Sequence, residues 1–158
     1  MRARARLAET LRAAGRVEEA VLEWETMLKL NPNDDQGVRH MLLTHYLAVR
    51  QPQNAQRLMA EYPRDFETST AFAYAHVLER FLSEDVAGAA WALALARRQN
   101  PHTEVYLADF HKRPESVPDR CLPGSEDEAA YFADALRLAW KAYPAARLWL
   151  AGQSLTAR

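Results

Sequence analysis

The sequence predicts an all-α protein of stacked antiparallel helix pairs. Three observations predict it. Apolar residues recur at helical spacing along nearly the whole chain, and no segment sustains the alternation of a half-buried strand. Glycine or Asn-Pro punctuates these stretches at helix length, at Gly15, Asn31-Pro32 and Asn100-Pro101. The two Asn-Pro pairs lie sixty-nine residues apart, so one kind of helix ending recurs.

The bulk composition fits one folded domain over residues 1–158. The chain can bury a real core, and its 49% apolar and 26% charged residues are unlike a disordered composition. A formal net charge of −1 supplies no global field for nucleic acid or anionic lipid. A single cysteine, Cys121, excludes an internal disulfide. No apolar run approaches the roughly 20 residues of a membrane span. The opening MRARARLAETLRAAG is Arg-rich without the apolar core of a secretory signal. No membrane partner and a cytoplasmic setting are therefore expected. Arg outnumbers Lys seventeen to three and Ile is absent, a bias of GC-rich, bacterial coding that no physical demand explains.

In order, Arg2 to Ala14 forms a first helix with Leu7, Ala8, Leu11 and Ala14 on one face. No N-cap precedes it, as at an abrupt start or in the later part of a longer chain. Gly15 ends it with the positive φ that reverses the chain. The second helix, about Val17 to Leu30, turns Ala20, Val21, Trp24, Met27 and Leu28 inward and stops at Asn31-Pro32. Asp34 or Asp35 caps a third, which runs to about Val49 through Val38, Met41, Leu42, Tyr46 and Leu47. A short fourth starts at Gln51-Pro52 and closes at Tyr62-Pro63. Thr68 or Ser69 caps the fifth, with Phe72, Ala75, Val77, Leu78, Phe81 and Leu82 inward. After a turn at 83–85 the sixth, Val86 to Gln99, is Ala-rich around Trp91, Leu93 and Leu95. A seventh lies near 103–111, and the prolines of 113–124 form a rigid loop. Ser125 and Glu128 make a capping box for a long helix that Pro144 breaks. A short terminal helix, 144–151, carries Leu148, Trp149 and Leu150.

This pattern resembles the tetratricopeptide repeat, whose period is about 34 residues, and the resemblance implies a right-handed stack of the helix pairs, an α-α superhelix. In the first repeat Leu7 and Ala8 match the large-small pair, Leu11 the tyrosine position, Gly15 the turn and Ala20 the small position. Trp24 and Pro32 match the aromatic and proline positions, while Arg4 and Met27 depart from the pattern. Ala89, Leu93, Ala96 and Pro101 repeat the match, giving approximate repeats 2–33, 34–67, 68–101 and 102–143. The second is degraded, with Asn54 at the small position. Three ordered stretches, LNPNDDQGVR, NPHTEVYL and GSEDEAAYFADALRLAW, are similar to segments of the suppressor-of-tumorigenicity-7 family and related bacterial proteins over roughly residues 15–152. The resemblance implies a helical-repeat fold and a part in protein assembly. It implies no activity.

Chemistry is sparse. NPNDDQG, residues 31–37, lacks the Gly and the bidentate acid of a calcium loop and reads as a helix stop followed by a cap. His40 and His45 diverge around a helix, and His76, His102 and His111 have no ligand-spaced companion, so no metal or cofactor is expected. Cys121 has no sequence-local base. Trp24, Trp91, Trp140 and Trp149 read as packing between repeats. The expectation is a non-enzymatic scaffold that binds a protein or peptide. By position the concave face receives Gln36, Arg39, Leu43 and Tyr46 from the third helix and Tyr74 and Leu78 from the fifth. Leu43 stands where a carboxylate-clamping Asn would belong. The alternative is RNA or DNA binding through Arg2, Arg4, Arg6, Arg12 and Arg16, although Glu9, Glu18 and Glu19 dilute that charge.

Overall fold

Glycine at 15 sets the first turn. A computed structural model describes residues 2–116 and 121–156, and Pro118 and Arg120 of the Pro-rich loop lie outside the described residues. α1 (Arg2–Ala13) ends where Gly15, at φ 76°, donates to Arg12 O and Arg16 donates to Leu11 O. These two bonds satisfy carbonyls that a helix end otherwise orphans. α2 (Val17–Leu30) then returns against α1, and Ala8 and Ala20, both fully buried, allow close approach. Trp24, Met27 and Leu28 are buried too, as their spacing predicts. Among the described residues all regular structure is helical.

The sequence treats 1–158 as one domain, whereas contacts gather into two compact units, Met1–Leu42 and Leu43–Arg158, divided within α3 (Val38–Ala48). In the first unit Asp34 starts α3. It is itself left-handed, at φ 54°, and its buried carboxylate accepts Val38 N–H and Arg39 N–H, each at 2.9 Å. The polar turn of 31–37 is thus a cap.

In the second unit α6 (Thr70–Leu82) is the hub. It packs against α4 (Pro52–Glu61), α7 (Val86–Gln99), α9 (Glu126–Lys141) and α10 (Pro144–Thr156). It also meets α5 (Asp65–Thr68), a single helical turn that the sequence pattern does not show. With neighbours all round, α6 buries Thr70 through Ala75 without a break, and Val77, Leu78 and Glu79 as well. Ser69 caps it, its Oγ accepting Phe72 N–H at 3.4 Å. α8 (Thr103–Ala108) lies on α9 and α10 and leads into a 3-10 turn at Phe110–Lys112. α10 begins at Pro144 as expected, since Pro is tolerated at the first helical position, and runs on to Thr156, beyond the expected 151.

The Gly15 closure recurs twice without glycine. Arg50, at φ 61°, donates to Leu47 O while Gln51 donates to Tyr46 O; Glu84, also at φ 61°, donates to Phe81 O while Asp85 donates to Arg80 O. Both side chains hold a conformation that L-residues resist. At Arg50 the guanidinium offsets this by donating to Ala142 O at 2.8 Å and lying 5.2 Å over the Tyr143 ring, whose hydroxyl donates to Leu47 O. Glu84→Gly should therefore stabilise the fold by about 0.5–1 kcal/mol, and Arg50→Gly should destabilise it. Urea midpoints of the two variants check the opposite signs.

Candidate interaction surface

The six residues predicted for a concave groove separate by burial. Gln36 is exposed in the turn before α3. Arg39 is half-buried and folds back onto that turn, with Nη1 donating to Asn33 O at 3.3 Å and Nε 3.9 Å from Asp34 Oδ2. Leu43, Tyr46, Tyr74 and Leu78 are core residues of the second unit and correct the expectation. For Tyr74 and Leu78 the reason is the packing of α6. Neighbours cover the face assigned to the groove, and Tyr74 OH is consumed by Asn100 O at 2.8 Å. Burial, with help from the nearby Glu104 carboxylate, pushes the Tyr74 phenol well above its ordinary value.

Asn100 is the centre of the polar interior. It has no exposed surface. Its Nδ2 donates to Ser125 O and to Glu128 Oε2, each at 2.9 Å, and its Oδ1 accepts His102 N–H at 3.0 Å. One amide thus ties the end of α7 to the starts of α8 and α9. The expected capping box is half met: Ser125 Oγ accepts Glu128 N–H, but the Glu128 carboxylate reaches Gly124 N–H and Asn100 instead of Ser125 N–H. Beside it Arg97 makes a two-pronged pair with Glu104, Nε to Oε2 at 2.5 Å and Nη2 to Oε1 at 3.1 Å.

A second polar knot lies where α4 meets α6. Glu79, 2% exposed, accepts from Gln56 at 2.5 Å, Ser83 at 2.8 Å and Arg80 at 2.9 Å. Burial alone would raise its pKa, but the hydrogen bonds from Arg80, Gln56 and Ser83 together outweigh burial and leave it below the ordinary Glu range. A carboxylate so held is a poor proton donor at neutral pH. Burial first, then Asp127 and Glu128, hold the Cys121 thiol above its usual value, away from the thiolate a nucleophile needs. Among the described residues no three His, Cys, Asp or Glu side chains are grouped to hold a metal.

The second unit also turns some large apolar side chains outward. Tyr131 and Leu138 stand seven positions apart on α9, 59% and 67% exposed, with exposed Ala135 between them. Arg137 flanks them, its guanidinium over the Phe110 ring. Trp91, read from the sequence as core, is 63% exposed, while Trp24 and Trp140 are buried and Trp149 lies half-buried with its ring 5.4 Å from that of Phe81. Met41 and Leu148 also point outward against expectation. Nothing in residue type separates an inward from an outward Trp on an Ala-rich helix; the neighbours do.

Asn100→Ala should cost about 2–4 kcal/mol, since it strands several buried partners. Asn100→Asp should cost more at neutral pH, by setting a carboxylate against Glu128, and recover partly on acidification; urea titrations at both pH values check this. For Glu79 the folded state binds fewer protons than the unfolded chain below the ordinary Glu range. Its contribution is full above that range and lost as pH falls through the depressed folded value. The stability difference between wild type and Glu79→Gln should accordingly shrink as pH is lowered. Comparison with protein-family models, with curated proteins and with solved structures found no match in any of the three, so the functional reading rests on the residues themselves.

Proposed function

We propose that the chain is a non-enzymatic scaffold of the tetratricopeptide type, binding a protein or peptide partner by shape and apolar contact. The observation that carries it is the outward stripe of Tyr131, Ala135 and Leu138 beside Arg137, since exposed Tyr, Leu and Arg on a rigid helix form the kind of patch on which partners dock. Gln36 at the head of α3 is the exposed survivor of the groove inferred from position. Two features favour the repeat type. The left-handed closures at Gly15, Arg50 and Glu84 are 35 and 34 residues apart, against a repeat of about 34. The small positions of the first and third repeats, Ala8, Ala20, Ala89 and Ala96, are all fully buried.

The nucleic-acid alternative is weakened by local neutralisation. Arg4 pairs with Glu23 at 2.7 Å, Arg12 with Glu9 at 2.9 Å and Arg16 with Glu19 at 2.5 Å, which offsets three of the five charges and leaves Arg2 and Arg6.

Affinity capture from native lysate, with and without nuclease, tests the reading with wild type, Tyr131→Asp and an Arg2→Ser, Arg6→Ser variant. A nuclease-resistant polypeptide bound at least tenfold less by Tyr131→Asp is the expected result. Nuclease-sensitive recovery lost only in the Arg variant would transfer the function to nucleic acid.

A further inference from the structure

α7 carries no polar side chain between Val86 and Ala96, a composition that belongs to a helix covered on every side. One side is nonetheless open. Ala87, Trp91 and Ala94 are exposed there, and Glu84 and Arg98 continue the same line at its two ends, also exposed. Successive members of this line are three, four, three and four residues apart, the spacing of the seam between two helices packed along their length.

The seam is self-complementary. Glu84 stands seven residues before Trp91 and Arg98 seven after it. A second copy laid antiparallel, with the two-fold axis at Trp91, sets Glu84 of each chain against Arg98 of the other. The same register places Ala94 against Gly88 and Ala87 against Leu95, so the small Ala87, Gly88 and Ala94 stand beside the central indoles and leave room for them. Opposed helix dipoles favour the same orientation. α9 has exposed end charges at the same spacing, Asp127 and Lys141, but the axis between them falls on Asp134 and sets that carboxylate against its own copy.

We propose that this face of α7 is the docking surface for a second copy of the same chain, in an antiparallel pair centred on Trp91 and closed at both ends by Glu84–Arg98 ion pairs. The paired surface is one helix long, which points to a weak, micromolar dimer. Burial of the Trp91 side chain supplies the attraction, and the end charges set the register.

Sedimentation velocity of the full chain over a concentration series tests this. Wild type should dimerise reversibly. Trp91→Glu should be monomeric at every concentration while keeping the wild-type far-ultraviolet circular dichroism, since the side chain it replaces is exposed. Glu84→Arg and Arg98→Glu alone should each weaken association about tenfold, because the two-fold axis doubles each pair. Together they should restore it. Tyr131→Asp should leave association unchanged, which separates this face from partner capture on α9. A wild type that stays monomeric to its solubility limit would overturn the proposal. So would a dimer indifferent to Trp91→Glu, or a double charge reversal as weak as the single ones.

Discussion

The second unit depends on a buried amide. Asn100 receives Tyr74 from α6 on its carbonyl and uses its side chain to hold the first turns of α8 and α9. Buried polar groups must find partners or lose their hydration without return, so such a node admits one arrangement of the chains around it. Apolar packing alone would tolerate several. α6 is apolar on most of its surface and could slide or rotate among its neighbours at modest cost; the Tyr74 hydroxyl and the Glu79 carboxylate pin it near each end.

The same economy governs the turns. Three helix ends close with one left-handed residue and two backbone bonds, yet only one uses glycine. Arg50 holds its strained backbone because its side chain reaches across to Ala142 and Tyr143, which makes it a tertiary contact as well as a turn. Among the described residues Glu84 makes no comparable contact. It stands instead at the end of the exposed face of α7, where a residue that is poor for the turn is suited to a surface.

A division of labour follows. Charged and polar groups in the interior are committed to one another: Glu79 to Gln56, Ser83 and Arg80, Arg97 to Glu104, Asn100 to three segments. These contacts fix the elements that carry them relative to one another. The outward faces of α7 and α9 carry the large apolar side chains that a folded chain ordinarily covers.

Local chemistry was legible in the sequence. Gly15 as a closure, Ser69 and Ser125 as caps, Pro32 and Pro101 as stops, and the inward stripe of α2 all follow from rules that act within a turn or two, and the structure obeys them. Tertiary structure decided what local rules cannot reach. The left-handed turns at Arg50 and Glu84 carry no glycine signal, so the regular spacing of the closures became visible only in φ. Asn31 and Asn100 look alike in sequence, each before Pro; one is half-exposed beside Asp35, and the other is the buried centre of a network assembled from residues twenty-five and more positions away. Tyr74 and Leu78 fell inward and Trp91 outward for one physical reason. Periodicity tells which side chains share a face, but the number of neighbours packed round a helix determines how many of its faces meet water.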